Sequence, residues 1–381
     1  MDSVTQLLLG ASVAGVMAPA KYRRKALALG AALGTLPDLD VFLDFGGAIE
    51  NFTEHRGFSH SLLLLPWVAL SLWGALMWAA PTLRAQRWRW LALVQATLLT
   101  HPVLDAFTVY GTQLWWPLAS PPVSIGSIFI IDPAYTLPLF VGVVGALLIG
   151  PKPRASFWLG LGLLLSSSYL AWTLFAQTQI RSAVEAEMAQ QNLADAKVLV
   201  TPTPFNTLLW RIVVAYPDGD YAEGYYSLLD PKPQTRLLVH PGNAALLAPL
   251  SDHWAIARLR WFTHGFIAAE VSGERVVVKD LRMGVEDHYV FRFAVAERRD
   301  GVTVPLAKPE QLPWPARDLG KIREIWQRAR AGQPAPTAAI GPPILSPSPL
   351  PGVLPPWATS LSSDPAAAAD DLKERSTDGK N

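Results

Sequence analysis

The sequence predicts an α-helical polytopic membrane domain of about six spans, followed by a small α+β extracytoplasmic domain and a disordered Pro-rich tail. Half of the 381 residues are hydrophobic, only 17% are charged, and the mean hydropathy is +0.22, which is too apolar for an ordinary soluble chain. Uncharged runs near spanning length recur up to residue 180, and none of comparable length follows. From Thr207 onward the pattern changes to short alternating segments divided by turn residues, which is how β-structure reads.

The expected spans are 3–20, 26–37, 61–80, 88–107, 133–150 and 155–180. The first is read as a retained span because Lys21, Arg23, Arg24 and Lys25 follow it, whereas a signal peptide needs its positive charge in front. The second ends on Asp38 and Asp40, which must sit at an interface or inside protein. The loops after the first, third and fifth spans hold Lys21 to Lys25, then Arg84, Arg87 and Arg89, then Lys152 and Arg154, with no acid among them. The alternate loops carry Asp38, Asp40, Asp44, Glu50, Glu54 and Asp132 against Arg56. Excess Lys and Arg marks the cytoplasmic side, so both termini and the acidic loops are expected outside, on the periplasmic face of a bacterial inner membrane. Tryptophans near the span ends, Trp67, Trp78, Trp88, Trp90, Trp115, Trp116 and Trp158, suit interfacial anchors.

Residues 181–199 read as a helical connector, and 200–330 as the small α+β domain that covers or gates the membrane part. Strands are expected at 208–216, 221–229, 266–271, 275–281 and 288–296, with a mostly helical stretch at 244–262 between them. The tail, 331–381, is dense in Pro, Ala and Ser and lacks the spaced apolar residues that bury a core. The net charge of +1 by itself argues neither for nor against a nucleic-acid partner, and none is expected.

Three segments bring imidazole and carboxylate to the ends of hydrophobic runs: Asp38 with Asp40, His55 with His60, and His101 with Asp105. His101 and Asp105 are four apart and share a helix face, a common way to offer two ligands to one ion. Asp38 and Asp40 alternate in a segment read as extended after Pro37. Ser59 reads as the N-cap of the span beginning at Ser61, which puts His60 in a first turn where a protonated ring is disfavoured. With no Cys in the chain, any metal must be held by nitrogen and oxygen, a set that suits Zn²⁺, Mn²⁺ or Fe²⁺. Six donors are more than one ion can take while keeping a water, so two ions are expected. Arg56 pairs with an acid or binds an anionic group of a substrate. Asp132 is a weaker candidate, and His240, His253, His264 and His288 lack pair spacing and read as structural.

These residues resemble the YdjM-type inner-membrane proteins, a LexA-regulated group of metal-dependent hydrolases also filed as a domain of unknown function. The resemblance rests on Met1-Asp2-Ser3-Val4-Thr5-Gln6 with Leu9-Gly10, on Gly34-Thr35-Leu36-Pro37-Asp38-Leu39-Asp40, on His55-Arg56-Gly57-Phe58-Ser59-His60-Ser61, and on His101-Pro102-Val103-Leu104-Asp105 with Tyr110-Gly111 and Trp116-Pro117. It covers residues 1–180, and 201–211 resembles the extracytoplasmic part of a subset of the group. It implies an integral membrane hydrolase, distantly grouped with zinc phospholipases C and P1-type nucleases. It further implies metal ligation by Asp38, Asp40, His55, His60, His101 and Asp105, with Gln6 standing where some members have His. The expectation is a divalent metal, zinc first and Mn or Fe next, that cleaves an ester of a lipid or lipid-linked substrate, with Arg56 steadying the anionic transition state. The competing expectation is a non-catalytic membrane metal carrier or scaffold.

Overall fold

A computed structural model describes residues 1–229, 237–285, 288–299 and 301–314, together with Arg323 and Gln327. The uncharged runs all form helices: α1 (Ser3–Met17), α2 (Arg23–Thr35), α4 (Leu65–Ala79), α5 (Arg87–Ala106), α6 (Pro133–Ile149) and α7 (Pro153–Gln190). A short α3 (Ala48–Glu54) precedes α4. Asp2 caps α1 and Asp132 caps α6, each accepting hydrogen bonds from two first-turn amides.

Six full spans are not what these helices provide. Among the described residues α7 alone is long and apolar enough to cross a bilayer, and a second crossing arises if Ala48–His60 and Leu65–Ala79, bent by 58° at their junction, count as one. At about 1.5 Å per residue, the 15 residues of α1 or α4 fall short of a hydrocarbon core of about 30 Å. The 13 residues of α2 include Arg23, Arg24 and Lys25, and α5 reaches 20 residues only by taking in Arg87, Arg89 and Asp105.

Helices α1 and α2 touch along their backbones. A Cβ on Gly34 would lie 2.5 Å from the Gln6 carbonyl oxygen, so a side chain there would force the pair apart; Gly10 and Gly30 face each other in the same seam. One apolar core joins α1 and α2 to α5, α6 and α7, and another joins them to α4 and α5. At one end of this bundle Arg23 donates to the carbonyls of Gly15 and Lys152, Arg24 to that of Leu147 and Arg89 to that of Met17, so the three basic loops converge. His101 and Asp105 lie at the opposite end of α5, about 21 and about 27 Å from Arg87 at a helical rise per residue.

After α7, the chain forms two antiparallel sheets. Strands β1 (Lys197–Pro202), β2 (Leu209–Ala215), β3 (Tyr221–Ser227) and β4 (Leu237–His240) pair in chain order. Helices α8 (Ala244–Leu247) and α9 (Trp254–Phe262) follow, divided by a 3₁₀ turn, where one mostly helical stretch was expected. Strands β5 (Ile267–Ser272), β6 (Arg275–Asp280), β9 (Arg292–Arg299) and β10 (Val302–Gln311) make the second sheet in the order β10-β9-β6-β5, and β7 (Gly284–Val285) pairs with β8 (His288–Tyr289). Helix α7 runs on into the expected helical connector as far as Gln190, and one boundary differs from expectation: β1 begins at Lys197, inside that stretch. The Pro-rich tail lies outside the described residues.

The second sheet and α9 share a core with α3. Ile49 and Phe52 pack among Phe262, Phe293 and Val276, Arg258 of α9 donates to Thr53 Oγ1 at 2.9 Å and pairs with Glu54, and Tyr110 donates to the Phe52 carbonyl at 2.7 Å. The segment leading into the His55–His60 loop is therefore clamped by α9 and the second sheet.

Candidate metal centre

The site lies where three chain segments meet at the end of the bundle opposite the basic loops. Pro37 starts a 3₁₀ turn, Pro37–Phe42, where an extended segment was expected. That tighter winding carries Asp38 and Asp40 to different neighbours. His55 closes α3, Arg56 takes a left-handed backbone (φ 63°), and a second 3₁₀ turn, Phe58–His60, brings His60 inward. Helix α4 begins only at Leu65, so Ser59 is not its N-cap. Its hydroxyl instead donates to Asp40 Oδ2 at 2.5 Å.

Asp38, His60, His101 and Asp105 each offer an atom within 4.8 Å of the others. The hydrogens of the two imidazoles are assigned by their partners. His101 Nδ1 lies 2.6 Å from the Gly34 carbonyl, which only accepts, so that nitrogen carries the hydrogen. His60 Nδ1 lies 2.8 Å from Ser59 Oγ, whose own hydrogen goes to Asp40, so His60 Nδ1 donates as well. In the neutral rings both Nε2 atoms then carry lone pairs, and they face each other at 3.1 Å. Asp38 Oδ1 lies 3.3 Å from His101 Nε2 and 3.5 Å from His60 Nε2; Asp105 Oδ2 lies 3.4 Å from His60 Nε2. Two lone pairs and two carboxylate oxygens thus converge with no hydrogen committed among them. A cation at their centre relieves that arrangement, and the chemistry of the donors fits a divalent ion.

The surroundings strengthen the fit. Asp105 Oδ2 is buried without a hydrogen bond. Its other oxygen accepts from Gln6 Nε2 at 2.8 Å and from the amino group of Met1, and Arg56 Nε lies 3.0 Å from Oδ2. Gln6 therefore orients a donor through its amide. The Gly34 carbonyl and the Ser59 hydroxyl fix the two ring tautomers, the role outer partners of metal-bound histidines ordinarily fill. The sequence offered no signal for either role, since one is a backbone atom and the other read as a helix cap.

Asp40 and His55 are not in the group of four. His55 Nδ1 lies 2.8 Å from Asp40 Oδ1, while Asp40 Oδ2 accepts from the Arg56 amide at 2.9 Å and from Ser59. Burial works against the Asp40 charge, but the hydrogen bond and charge of His55 and the Ser59 hydroxyl outweigh it and hold the carboxyl below its usual range. The six donors thus fall into one cluster of four beside a carboxylate–imidazole pair, and no second cluster exists among the described residues.

Arg56 is buried, donates to Thr108 Oγ1 at 3.3 Å and lies over the Tyr110 ring. Asp132 is occupied as a cap and as acceptor from the Tyr169 hydroxyl. His253 caps α9, His264 Nε2 donates to the Pro122 carbonyl and His240 stacks on Tyr221. These three and His288 all lie outside the cluster.

Comparison with known proteins bears on the same part of the chain. Residues 1–180 match the family described as YdjM inner membrane protein. The chain is similar to "Uncharacterized protein YfhP" of Bacillus subtilis (strain 168), 28% identical over a 260-residue alignment that covers 62% of this chain and 75% of that protein. It is also similar to "Inner membrane protein YbcI" of Escherichia coli (strain K12), 36% identical over 91 residues, 23% of this chain and 49% of that protein. No solved structure matches it.

Proposed function

Since residues 1–180 match the family described as YdjM inner membrane protein, we propose that this protein is an inner-membrane hydrolase that uses a divalent metal ion to cleave a phosphoester of a lipid or lipid-linked substrate. The observation that supports it is the convergence of His60 Nε2, His101 Nε2, Asp38 and Asp105 within 4.8 Å, with one carboxylate oxygen buried beside Arg56 and without a hydrogen bond. When bound, such an ion acidifies a water molecule towards neutral pH and polarises the oxygen of the bond under attack. Four protein donors close a tetrahedral shell, so room for water calls for a five- or six-coordinate ion: zinc with an expanded shell, manganese or iron(II).

The chain's own residues supply the rest. Gln6, Gly34 and Ser59 hold three of the four donors in place. Arg56, fixed beside Asp105, contributes the permanent positive charge against which an anionic phosphoryl group settles. Substrate approaches on the Asp38 side, since that side chain is 19% exposed while those of His60, His101 and Asp105 are at most 1% exposed. A lipid head group reaches such a site at the end of the bundle. With the basic loops in the cytoplasm, that end faces the periplasm.

The test is metal analysis of detergent-purified protein together with a screen of phospholipid and lipid-linked phosphoesters. The expected result is about one transition-metal ion per chain and a metal-dependent hydrolysis that His60→Ala abolishes. Protein without bound transition metal, or hydrolysis indifferent to His60→Ala, refutes the proposal. A second reading, a metal carrier, draws support from the 58° break between α3 and α4 beside His60, because carriers place ions at interrupted helices. Metal uptake into proteoliposomes that depends on His60 and His101 would favour the carrier.

A further inference from the structure

The carboxylate–imidazole pair beside the four-donor cluster has no part in holding an ion, and its geometry gives it another use. We infer that His55, oriented by Asp40, is the proton donor to the leaving oxygen in the ester cleavage, an inference that rests on the hydrolase reading above.

Asp40 cannot turn towards the cluster without abandoning its partners, because its two oxygens already accept from His55 Nδ1, the Arg56 amide and Ser59 Oγ. His55 is held on its inner nitrogen, which leaves Nε2 as the atom it presents outward. Its side chain is 21% exposed, whereas His60 and His101 are buried. Its ring centroid lies 6.3 Å from that of His60 and 5.6 Å from that of Tyr110, so the imidazole is seated against the cluster without entering it. Its position is also rigid. The α3 helix ends at Glu54, and Thr53 and Glu54 are pinned by Arg258.

Elimination leads to the same residue. An alkoxide is a poor leaving group and needs a proton as its bond to phosphorus breaks. Arg56 keeps its protons at any accessible pH. The Tyr110 hydroxyl is spent on the Phe52 carbonyl, and the ring hydrogens of His60 and His101 point away from the cluster to Ser59 and Gly34. Of the three imidazoles at or beside the cluster, His55 is the one with an exposed side chain, 21% against at most 1% for His60 and His101. In the step itself, water oxygen forms the new bond to phosphorus and releases one proton to solvent. The ester P–O bond breaks with its electron pair going to the leaving oxygen, which takes the proton from His55 Nε2. Solvent returns that proton through the exposed edge of the ring.

The experiment compares three ethyl phosphodiesters that share a phosphoryl group and differ in the leaving group: 4-nitrophenol, phenol and ethanol. His55→Gln and His55→Ala are measured beside wild type, each checked for metal content and thermal unfolding, and Asp40→Asn tests the positioning role. Both His55 variants are expected to keep the ion and to lose about 100-fold or more on the phenyl and ethyl esters, against less than about 10-fold on the nitrophenyl ester, whose leaving group needs little protonation. Asp40→Asn is expected to show the same dependence with a smaller loss. An equal loss across the three esters overturns the inference and leaves the hydrolase intact, as does loss of the ion from both folded His55 variants, which would make His55 a ligand. A wild-type protein that holds metal and cleaves none of these esters or the lipid phosphoesters overturns the hydrolase reading and this inference with it.

Discussion

The helical bundle and the C-terminal sheets each bury a knot of charge, and the two knots are built on opposite principles. In the sheets, Arg211 of β2 pairs with Glu223 of β3 and donates to the Leu281 carbonyl at 2.9 Å, Tyr289 donates to Glu223, and Arg282 pairs with Asp280 at 2.8 Å while donating to the Phe262 carbonyl at 3.0 Å. Every charge there meets its opposite. In the bundle, two imidazole lone pairs face two carboxylates, and Asp105 Oδ2 and Arg56 Nε have no aligned partner. Burying charge is therefore not by itself the mark of a site. A site is marked by charge left incomplete, since folding alone does not reward that arrangement.

Substitutions sharpen the contrast, and the largest effect is expected in the sheets. Arg211→Met strands Glu223 in the core and should lower the free energy of unfolding by about 3–5 kcal/mol, whereas the paired change Arg211→Met with Glu223→Leu should recover most of the loss. Chemical denaturation in detergent measures both, and a double variant as unstable as the single one would break the comparison. At the cluster, ligand linkage dominates. Zinc at about one hundred times its dissociation constant should stabilise wild type by about 2.7 kcal/mol, a gain visible as a rise in Tm that His101→Ala abolishes and Arg211→Met retains.

A smaller effect is expected at the α1–α2 seam. Gly34→Val pushes α2 away from the Gln6 carbonyl at a cost of about 1–3 kcal/mol. Because Gly34 also holds His101, metal affinity should fall by about 10- to 100-fold. Calorimetric titration with zinc reads that fall, and unchanged affinity would separate the seam from the site. The smallest effect concerns pH. Burial, helped by the charge of Arg282, holds His264 below its ordinary pKa. The unfolded chain therefore takes up this proton first as pH falls, so the His264 contribution is fully present above about 6.5 and is lost as pH drops through the folded value. His264→Asn should flatten the decline of Tm between pH 7 and pH 5 without changing metal content.

Much of this was legible before any fold was known. The helical runs, the strands at 221–229 and 275–281 and the convergence of acids and histidines away from the basic loops follow from apolar periodicity and charge, which act locally along the chain. Asp38, His60, His101 and Asp105 were readable as donors for the same reason. What could not be read was how each short loop turns. The tight turn after Pro37 and the left-handed Arg56 decide that Asp40 faces His55 and not the cluster, and Ser59 was taken for a cap because its true partner lies 19 residues earlier.

By itself, the sequence determined that residues 1–180 are apolar and helical with nitrogen and oxygen donors, and with no thiolate, at the ends of the hydrophobic runs, because composition and period are properties of consecutive residues. Only the tertiary structure decided which four of six donors meet, that the Gly34 carbonyl sets the His101 tautomer, and that α9 and the second sheet clamp α3. Those outcomes depend on loop dihedrals and on backbone atoms brought together from distant parts of the chain, and neither leaves a trace in the spacing of side chains.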